Sequence, residues 1–436
     1  MGKKREESYE PNFFIDYDNF YDYVDYTVDI TDIIKEERAK KKMKEQKELK
    51  SKKKKKRHIK FFIVELLLIV ILGIVLVIML PNTKEWLINS PLGKFLISKV
   101  VSEEDYDNIY DETFNKGDVD INQGVEGTVS KEYLNIALFG VDARTDQMHS
   151  GVNSDSIIIA SINKTNKTVK LCSVYRDTWL RVALKDGAYD FDKINSAYCF
   201  GGPQQAVKTL NANFDLNITD YVAINFGGLA NIIDKLGGMT INISKSEKYW
   251  INEYLKETKE VTGMNTPNVK SYGEVKLTGL QVVAYCRIRY VKFTSEDGTV
   301  FHNDFGRTAR QRYVIMKLVD LIKGAGVSKT MDVADEIFNG EEEFIYTSIE
   351  YDDIIELIPL LMDFSITGTS GYPYDYETPE SMEIITGDEV DYPIVIKGLA
   401  DNNKKLHEFL FDKAEYEPSN TVIKIENKLE QLIKDK

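Results

Sequence analysis

The densest set of chemically useful side chains lies between Tyr285 and Arg312. There YCRIRY, a loop and DFGRTARQR place five arginines, Asp304 and Gln311 within 28 residues. If YCRIRY is a strand, Arg287 and Arg289 share one face by its two-residue alternation. Arg307, Arg310, Gln311 and Val314 fall at the i, i+3, i+4, i+7 spacing of one helical face. Two arginine pairs would then converge from a strand end and a helix start. Planar, permanently charged guanidinium forks suit a dense anion, above all phosphate or pyrophosphate.

A second group sits upstream. Asp142 closes an apolar stretch and Asp155 opens the next, so adjacent strands would bring both carboxylates to one sheet edge. Such a pair can hold Mg²⁺, with Mn²⁺ as the substitute, and share it with substrate phosphates. Loop polarity and capping are the plainer explanations. Arg144 can contact the same anion or pair with Asp142. Arg176, in VYRD at the end of a third strand, reads either as an anion ligand or as a structural ion pair. Lys193 in DKINSAY alone reads as surface, and Asp304 reads as a helix N-cap. Gly306, in the first turn, would let an anion approach backbone N–H groups.

Other chemistries are missing from the sequence. There is no G-x-S-x-G elbow, no Walker-type phosphate loop and no H-E-x-x-H, and the four histidines lack ligand spacing. Cys172, Cys199 and Cys286 are odd in number and without metal spacing, so buried small hydrophobes are expected rather than a disulfide framework.

The elements that must position these groups alternate. YLNIALFGVD, SIIIASI and KTVKLCSVYRD read as strands, as do YVAIN and MTINI. QQAVKTLNANF, GLANIIDKLGG and the segment from Asp304 to about Lys323 carry helical periodicity. This predicts an α/β fold, a mixed central sheet covered by helices on both faces. YDDIIELIPLLMDF and TVIKIENKLEQLIKDK predict two further helices with a polar loop between them. The expected layout is a tail over 1–60, a membrane anchor over 61–80, a stalk over 81–130, a catalytic domain over 131–325 and a C-terminal continuation over 326–436.

Residues 61–80 are apolar apart from Glu65, and 20 residues of helix span about 30 Å, one bilayer core. SKKKKKRHIK precedes them. This predicts an uncleaved, single-pass anchor in the cell membrane with its N-terminus cytoplasmic and everything after Pro81 outside. The 18 Lys/Arg and 13 Asp/Glu of residues 1–60 contrast with a whole-chain charge of −14, so the external part is strongly acidic. Such a surface argues against nucleic-acid binding. The Tyr-rich start, NFFIDYDNFYDYVDY, reads as a disordered tail or a docking motif.

Taken in order, NIALFGVDAR, NSDSIIIASIN, KLCSVYRDTWL, DKINSAYCFGG, YVAINFGGLANIIDKLGG, LTGLQVVAYCRIRY and DFGRTARQR resemble the LytR-CpsA-Psr family of Gram-positive envelope proteins. The resemblance implies a phosphotransferase that moves a glycopolymer from a polyprenyl-pyrophosphate carrier to a peptidoglycan hydroxyl, releasing polyprenyl phosphate. It implies Mg²⁺ on Asp142 and Asp155, and Arg176, Arg287, Arg289, Arg307 and Gln311 on the pyrophosphate. Lys193, Asp304 and Arg310 match further polar positions, and Asp142 or Asp304 could accept the acceptor proton. The lipid would lie between sheet and helices. This chain has Asn153 where the family usually has arginine, Tyr175 where proline is usual, and Cys286 in place of an aliphatic residue. The rival readings are a non-catalytic polyprenyl-phosphate-binding sensor and a pyrophosphate-glycan hydrolase.

Overall fold

The computed structural model describes residues 111, 113–125, 132–141, 148, 150–325, 345–350, 353, 364–384, 389–413 and 415–433. The expected tail and membrane span, most of the stalk, and all of YDDIIELIPLLMDF but Asp353 and Phe364 lie outside them. Among the described residues no helix is long and apolar enough to cross a membrane.

The chain runs β1 (Tyr133–Val141), β2 (Ser154–Asn163), β3 (Thr168–Val174), β4 (Trp179–Ala183), β5 (Tyr189–Lys193), α1 (Ser196–Phe214), β6 (Asp220–Asn225) and α2 (Phe226–Lys235). It continues through β7 (Met239–Ile243), α3 (Lys245–Thr262), β8 (Gly273–Leu277), α4 (Gly279–Cys286), β9 (Phe293–Thr294), β10 (Val300–Phe301) and α5 (Asn303–Gly324). β11 (Ile345–Thr347), β12 (Ser365–Tyr372), two short two-stranded pairings, α6 (Leu399–Phe411) and α7 (Asn420–Leu432) follow.

Six strands form the central sheet in the order β11-β6-β1-β2-β3-β12. β1 pairs in parallel with β6 and β3 with β12, whereas β2 is antiparallel to both its neighbours. The sheet is therefore mixed, as expected. β1, β3, β6 and β12 all end at one edge, where β2 begins. Carboxyl ends of strands meeting at one edge are where open α/β sheets place ligand sites.

Side-chain alternation sends two sets of apolar residues to opposite faces. Ala137, Phe139, Ile157, Ile159, Cys172 and Val174 pack with α1, α6 and α7 through Val207, Leu210, Leu406, Leu410, Val422 and Ile425. On the other face Ile158, Ala160 and Leu171 meet Ile315 of α5, and Val222 and Ile224 meet Ile232 of α2 and its C-cap Leu236 with Leu318 and Leu321 of α5. Helices thus cover both faces. All three cysteines are free; Cys172 and Cys286 are buried, with burial pushing both thiols up to about 12.

Two expectations differ from the observed fold. YCRIRY is not a strand: Tyr285 and Cys286 end α4, and Arg287 caps it with helical φ/ψ of −91° and −10°. Every residue of α4 is buried, so no apolar stripe marks it as a helix, although Thr278 and Gln281 form a capping box at its start. The polar stretch after Phe364 is not a loop throughout: it supplies β12, an edge of the central sheet. The β4–β5 hairpin, α3 and α6 are further elements that the sequence reading did not find.

α6 generates a pH prediction. His407 is fully buried, its Nε2 2.8 Å from the Phe214 carbonyl and its ring stacked on Tyr416 at 3.7 Å. Burial holds its pKa down to about 4, with Lys413 adding to the shift and the Phe214 carbonyl and Asp215 opposing it. The unfolded chain takes up this proton near pH 6.5, the folded chain only near 4. Stability should therefore fall as pH drops from 6.5 to 4, by about 3 kcal/mol from this group. Urea unfolding at stepped pH should show that loss, and His407→Gln should flatten it.

Candidate active site

The carboxyl edge of the sheet gathers an alternating chain of charges. The ladder between β1 and β2 slips at this edge: Gly140 lies opposite Ser156 and Val141 opposite Ser154, leaving Asp155 as the extra residue of a bulge. Bulges re-aim a side chain. Here Asp155 pairs closely with Nη1 of Arg176, just beyond β3. Nε of Arg176 also lies 3.4 Å from Asp177, which stands 3.5 Å from Lys193 at the end of β5.

α5 supplies the other half. It begins at Asn303 after His302, so Asp304 lies in its first turn rather than at the N-cap. The Asp304 carboxylate is 3.1 Å from Nη2 of Arg307 and 3.5 Å from Nε of Arg289. Nη2 of Arg307 also approaches the Asp155 carbonyl at 3.4 Å, joining the two halves. Burial lowers the pKa of Arg307, Asp304 and Asp155 work against that, and Arg176 and Arg289 lower it further by repulsion. Cations crowded this closely on a half-buried edge make an anion site. Nε of Arg307 is buried without a hydrogen-bond partner, a donor that an anion could use; Oε1 of Gln311 is also unpartnered, but as an acceptor it does not call for an anion.

The remaining predicted residues divide. Arg287 faces α3: it donates to Thr258 Oγ1 at 2.9 Å, pairs with Glu257 at 3.0 Å and lies over the rings of Phe226 and Tyr254. Tyr254 in turn feels Arg289, Arg287 and Arg307, so Arg287 borders the cluster. Asp142 and Arg144 lie outside the described residues. Among the described residues no three His, Cys, Asp or Glu side chains group as a metal cage. Asp155, a partly exposed carboxylate, has the hard oxygen chemistry that suits Mg²⁺.

Arg310 corrects the single-face reading of α5. Its guanidinium is fully buried away from the site, with Nη2 2.9 Å from Glu247 of α3 and from the Val291 carbonyl, and 3.1 Å from the Lys292 carbonyl. Glu247 also closes the capping box of α3. Arg310 thus fastens α5 to α3 and to the segment following Arg289. The N–H of Gly306 is likewise engaged, donating to the His302 carbonyl at 3.0 Å, so it is not an open anion donor.

Sequence reasoning missed three members. Asp177 was visible only as half of an Arg-Asp step. Tyr175 packs edge-on to Phe305 at 4.6 Å and within 6.0 Å of Tyr376, walling the site on one side. A Cβ on Gly371 would lie 2.1 Å from its hydroxyl, so only glycine leaves it room. The third is Arg312, which is 3 % exposed.

Removing one partner of a buried ion pair strands the other charge, at about 3–5 kcal/mol. Arg310→Ala should therefore lower unfolding free energy by that amount in urea titrations. Arg289→Ala, at a site 38 % exposed, should stay within about 1 kcal/mol of wild type. Equal losses would remove the distinction between clamp and site.

The described geometry can be set beside known proteins. The LytR_cpsA_psr family model matches residues 96–366. A polyisoprenyl-teichoic acid–peptidoglycan teichoic acid transferase TagU of Bacillus licheniformis is 30% identical over 224 residues, 51% of this chain and 62% of that protein. The TagU of Halalkalibacterium halodurans is 30% identical over 248 residues, 56% of this chain and 71% of that one. Among solved structures, the B. subtilis TagV crystal structure covers 66% of this chain and 100% of that chain at 23% identity, with a TM-score of 0.46. With the family model spanning more than half its length, this chain belongs to the LytR_cpsA_psr family.

Proposed function

We propose that this protein is a membrane-anchored glycopolymer phosphotransferase. It takes a glycan from a polyprenyl-pyrophosphate carrier, joins it through its proximal phosphate to a peptidoglycan hydroxyl, and releases polyprenyl phosphate. The observation that carries this reading is the Lys193–Asp177–Arg176–Asp155 and Arg307–Asp304–Arg289 network at the carboxyl edge of the sheet. The transferase names of the relatives and the family membership point the same way.

Phosphoryl transfer asks for charge neutralisation and alignment more than for a reactive side chain. Arg176, Arg289 and Arg307 would bind the pyrophosphate and stabilise the charge that builds on the departing lipid phosphate. Lys193 holds Asp177, and Asp177 steadies Arg176. Arg287 would add positive potential from the border. Asp142 and Asp155 would hold Mg²⁺, or Mn²⁺, which when bound would offset phosphate charge. Asp304, within the arginine pair, or Asp142 would accept the proton of the attacking sugar hydroxyl. The isoprenoid would lie along Ile158, Ala160, Leu171, Ile315 and Ile366, the aliphatic face between sheet and α5.

The test is to incubate the full chain with a polyprenyl-pyrophosphate oligosaccharide, peptidoglycan oligomers and Mg²⁺, reading glycan and lipid products by mass spectrometry. A phosphodiester-linked glycan–peptidoglycan product is expected, lost with EDTA or Asp142→Ala. Arg176→Ala and Arg307→Ala should each lower turnover about 10²–10³-fold, as removal of an oxyanion-type donor does. Lipid bound but unchanged across several donors would instead indicate a sensor; free glycan phosphate without acceptor linkage would indicate a hydrolase.

A further inference from the structure

Among the described residues, the buried guanidinium of Arg312 has no anionic partner. Its Nε and Nη1 have no hydrogen-bond partner. Among the described residues no carboxylate bears on it: the titratable groups that do are Tyr175, Cys172 and Tyr374, each held neutral by burial. The Phe301 ring lies 5.9 Å away. Arg310, two residues earlier and equally buried, has Glu247 and three backbone carbonyls as acceptors. A fold that saturates one buried guanidinium and leaves donors of the next open carries the desolvation cost of those donors. An incoming anion removes that cost.

Its place says which anion. Tyr175 directly precedes Arg176 and packs on Phe305, the neighbour of Asp304, at 4.6 Å, and it lies within electrostatic reach of both Arg312 and Asp304, so Arg312 adjoins the charged network. Three residues further along α5, Ile315 packs with Ile158, Ala160, Leu171 and Ile366. The helix therefore passes from carboxylate and guanidinium at Asp304 and Arg307, through Arg312, to an aliphatic wall. A phosphate ester with a hydrocarbon tail matches that order: charge first, then chain.

Building on the polyprenyl-pyrophosphate reading, we propose that Arg312 binds the phosphoryl group bonded to the isoprenoid, the one that leaves with the lipid. Its open Nε and Nη1 would each donate to a phosphoryl oxygen. Because this phosphoryl group is common to donor and product, Arg312 should contribute to binding both.

The experiment uses the full chain in detergent micelles, with geranylgeranyl diphosphate and geranylgeranyl monophosphate as probes, titrated by calorimetry alongside thermal unfolding without ligand. Arg312→Met should weaken both lipids by about 10–100-fold, the worth of a charge-assisted contact. It should also leave the ligand-free melting temperature unchanged or raised, since an unpaired buried charge gives way to an apolar chain. Arg312→Lys, which keeps the charge but loses the fork, should bind at intermediate strength and serves if the Met variant does not fold. Unchanged affinities for both lipids, or loss for the diphosphate alone, overturns the assignment. A lower melting temperature with normal binding overturns it as well, in favour of a structural role. Failure of the wild type to bind either lipid would overturn the carrier reading itself, a separate result.

Discussion

Like charges held against their own repulsion are the constraint on which the site depends. Arg176, Arg289, Arg307 and Lys193 converge on one edge, where Asp155, Asp177 and Asp304 alternate with them. Cations this close raise one another's cost, and burial adds to it, as the lowered pKa of Arg307 records. Side-chain packing alone would let such groups drift apart into water. They stay because each is tied to a rigid element: Asp155 to a bulge in β2, Arg176 to the end of β3, Lys193 to a hairpin, Asp304 and Arg307 to the first turns of α5.

α5 shows how one helix serves two masters. Arg307, Arg310 and Arg312 are identical in chemistry and lie within six residues. Arg310 and Arg312 are two residues apart, about 200° around the axis, so they point in opposite directions. One fastens the helix to α3 through Glu247; the other lies within electrostatic reach of Cys172 in β3 and of Tyr175. The clamp also holds the carbonyls of Ile288, Val291 and Lys292, and so fixes the chain on either side of Arg289. The geometry of Arg289 and Arg307 thus depends on a buried ion pair made one turn further along α5.

The same helix marks how far the sequence could be read. Its extent was legible, because spacing along a helix is a strict geometric rule, but Asp304 read as the N-cap and not as the partner of Arg307. Which of Arg310 and Arg312 faces the site was not legible, because that depends on Glu247, 63 residues away in sequence. The mixed sheet was legible in β1, β2, β3 and β6, whose apolar runs are long. Its outer strand β12 was not, since SITGTSGY alternates exposed and half-buried polar residues at an edge. α4 was hidden by its own burial: apolar on all sides, it offers no period, and YCRIRY imitates strand alternation. The bulge at Asp155 left no trace in composition, yet it is what turns that carboxylate toward Arg176.

Pairing the arginines in advance with carboxylates also sets a threshold for the ligand. An anion entering this site must compete with Asp155 for Arg176 and with Asp304 for Arg289 and Arg307. A singly charged carboxylate or sulfate ester offers those guanidiniums no more than they already have. A diphosphate does, because it presents several oxygens in fixed geometry and more negative charge, and bidentate forks gain from both. The acidic balance of the chain as a whole works in the same direction, repelling anions that lack a strong local partner. Under the proposed function, selectivity for a diphosphate head would follow from the resting ion pairs themselves, before any contact with a glycan or a lipid tail.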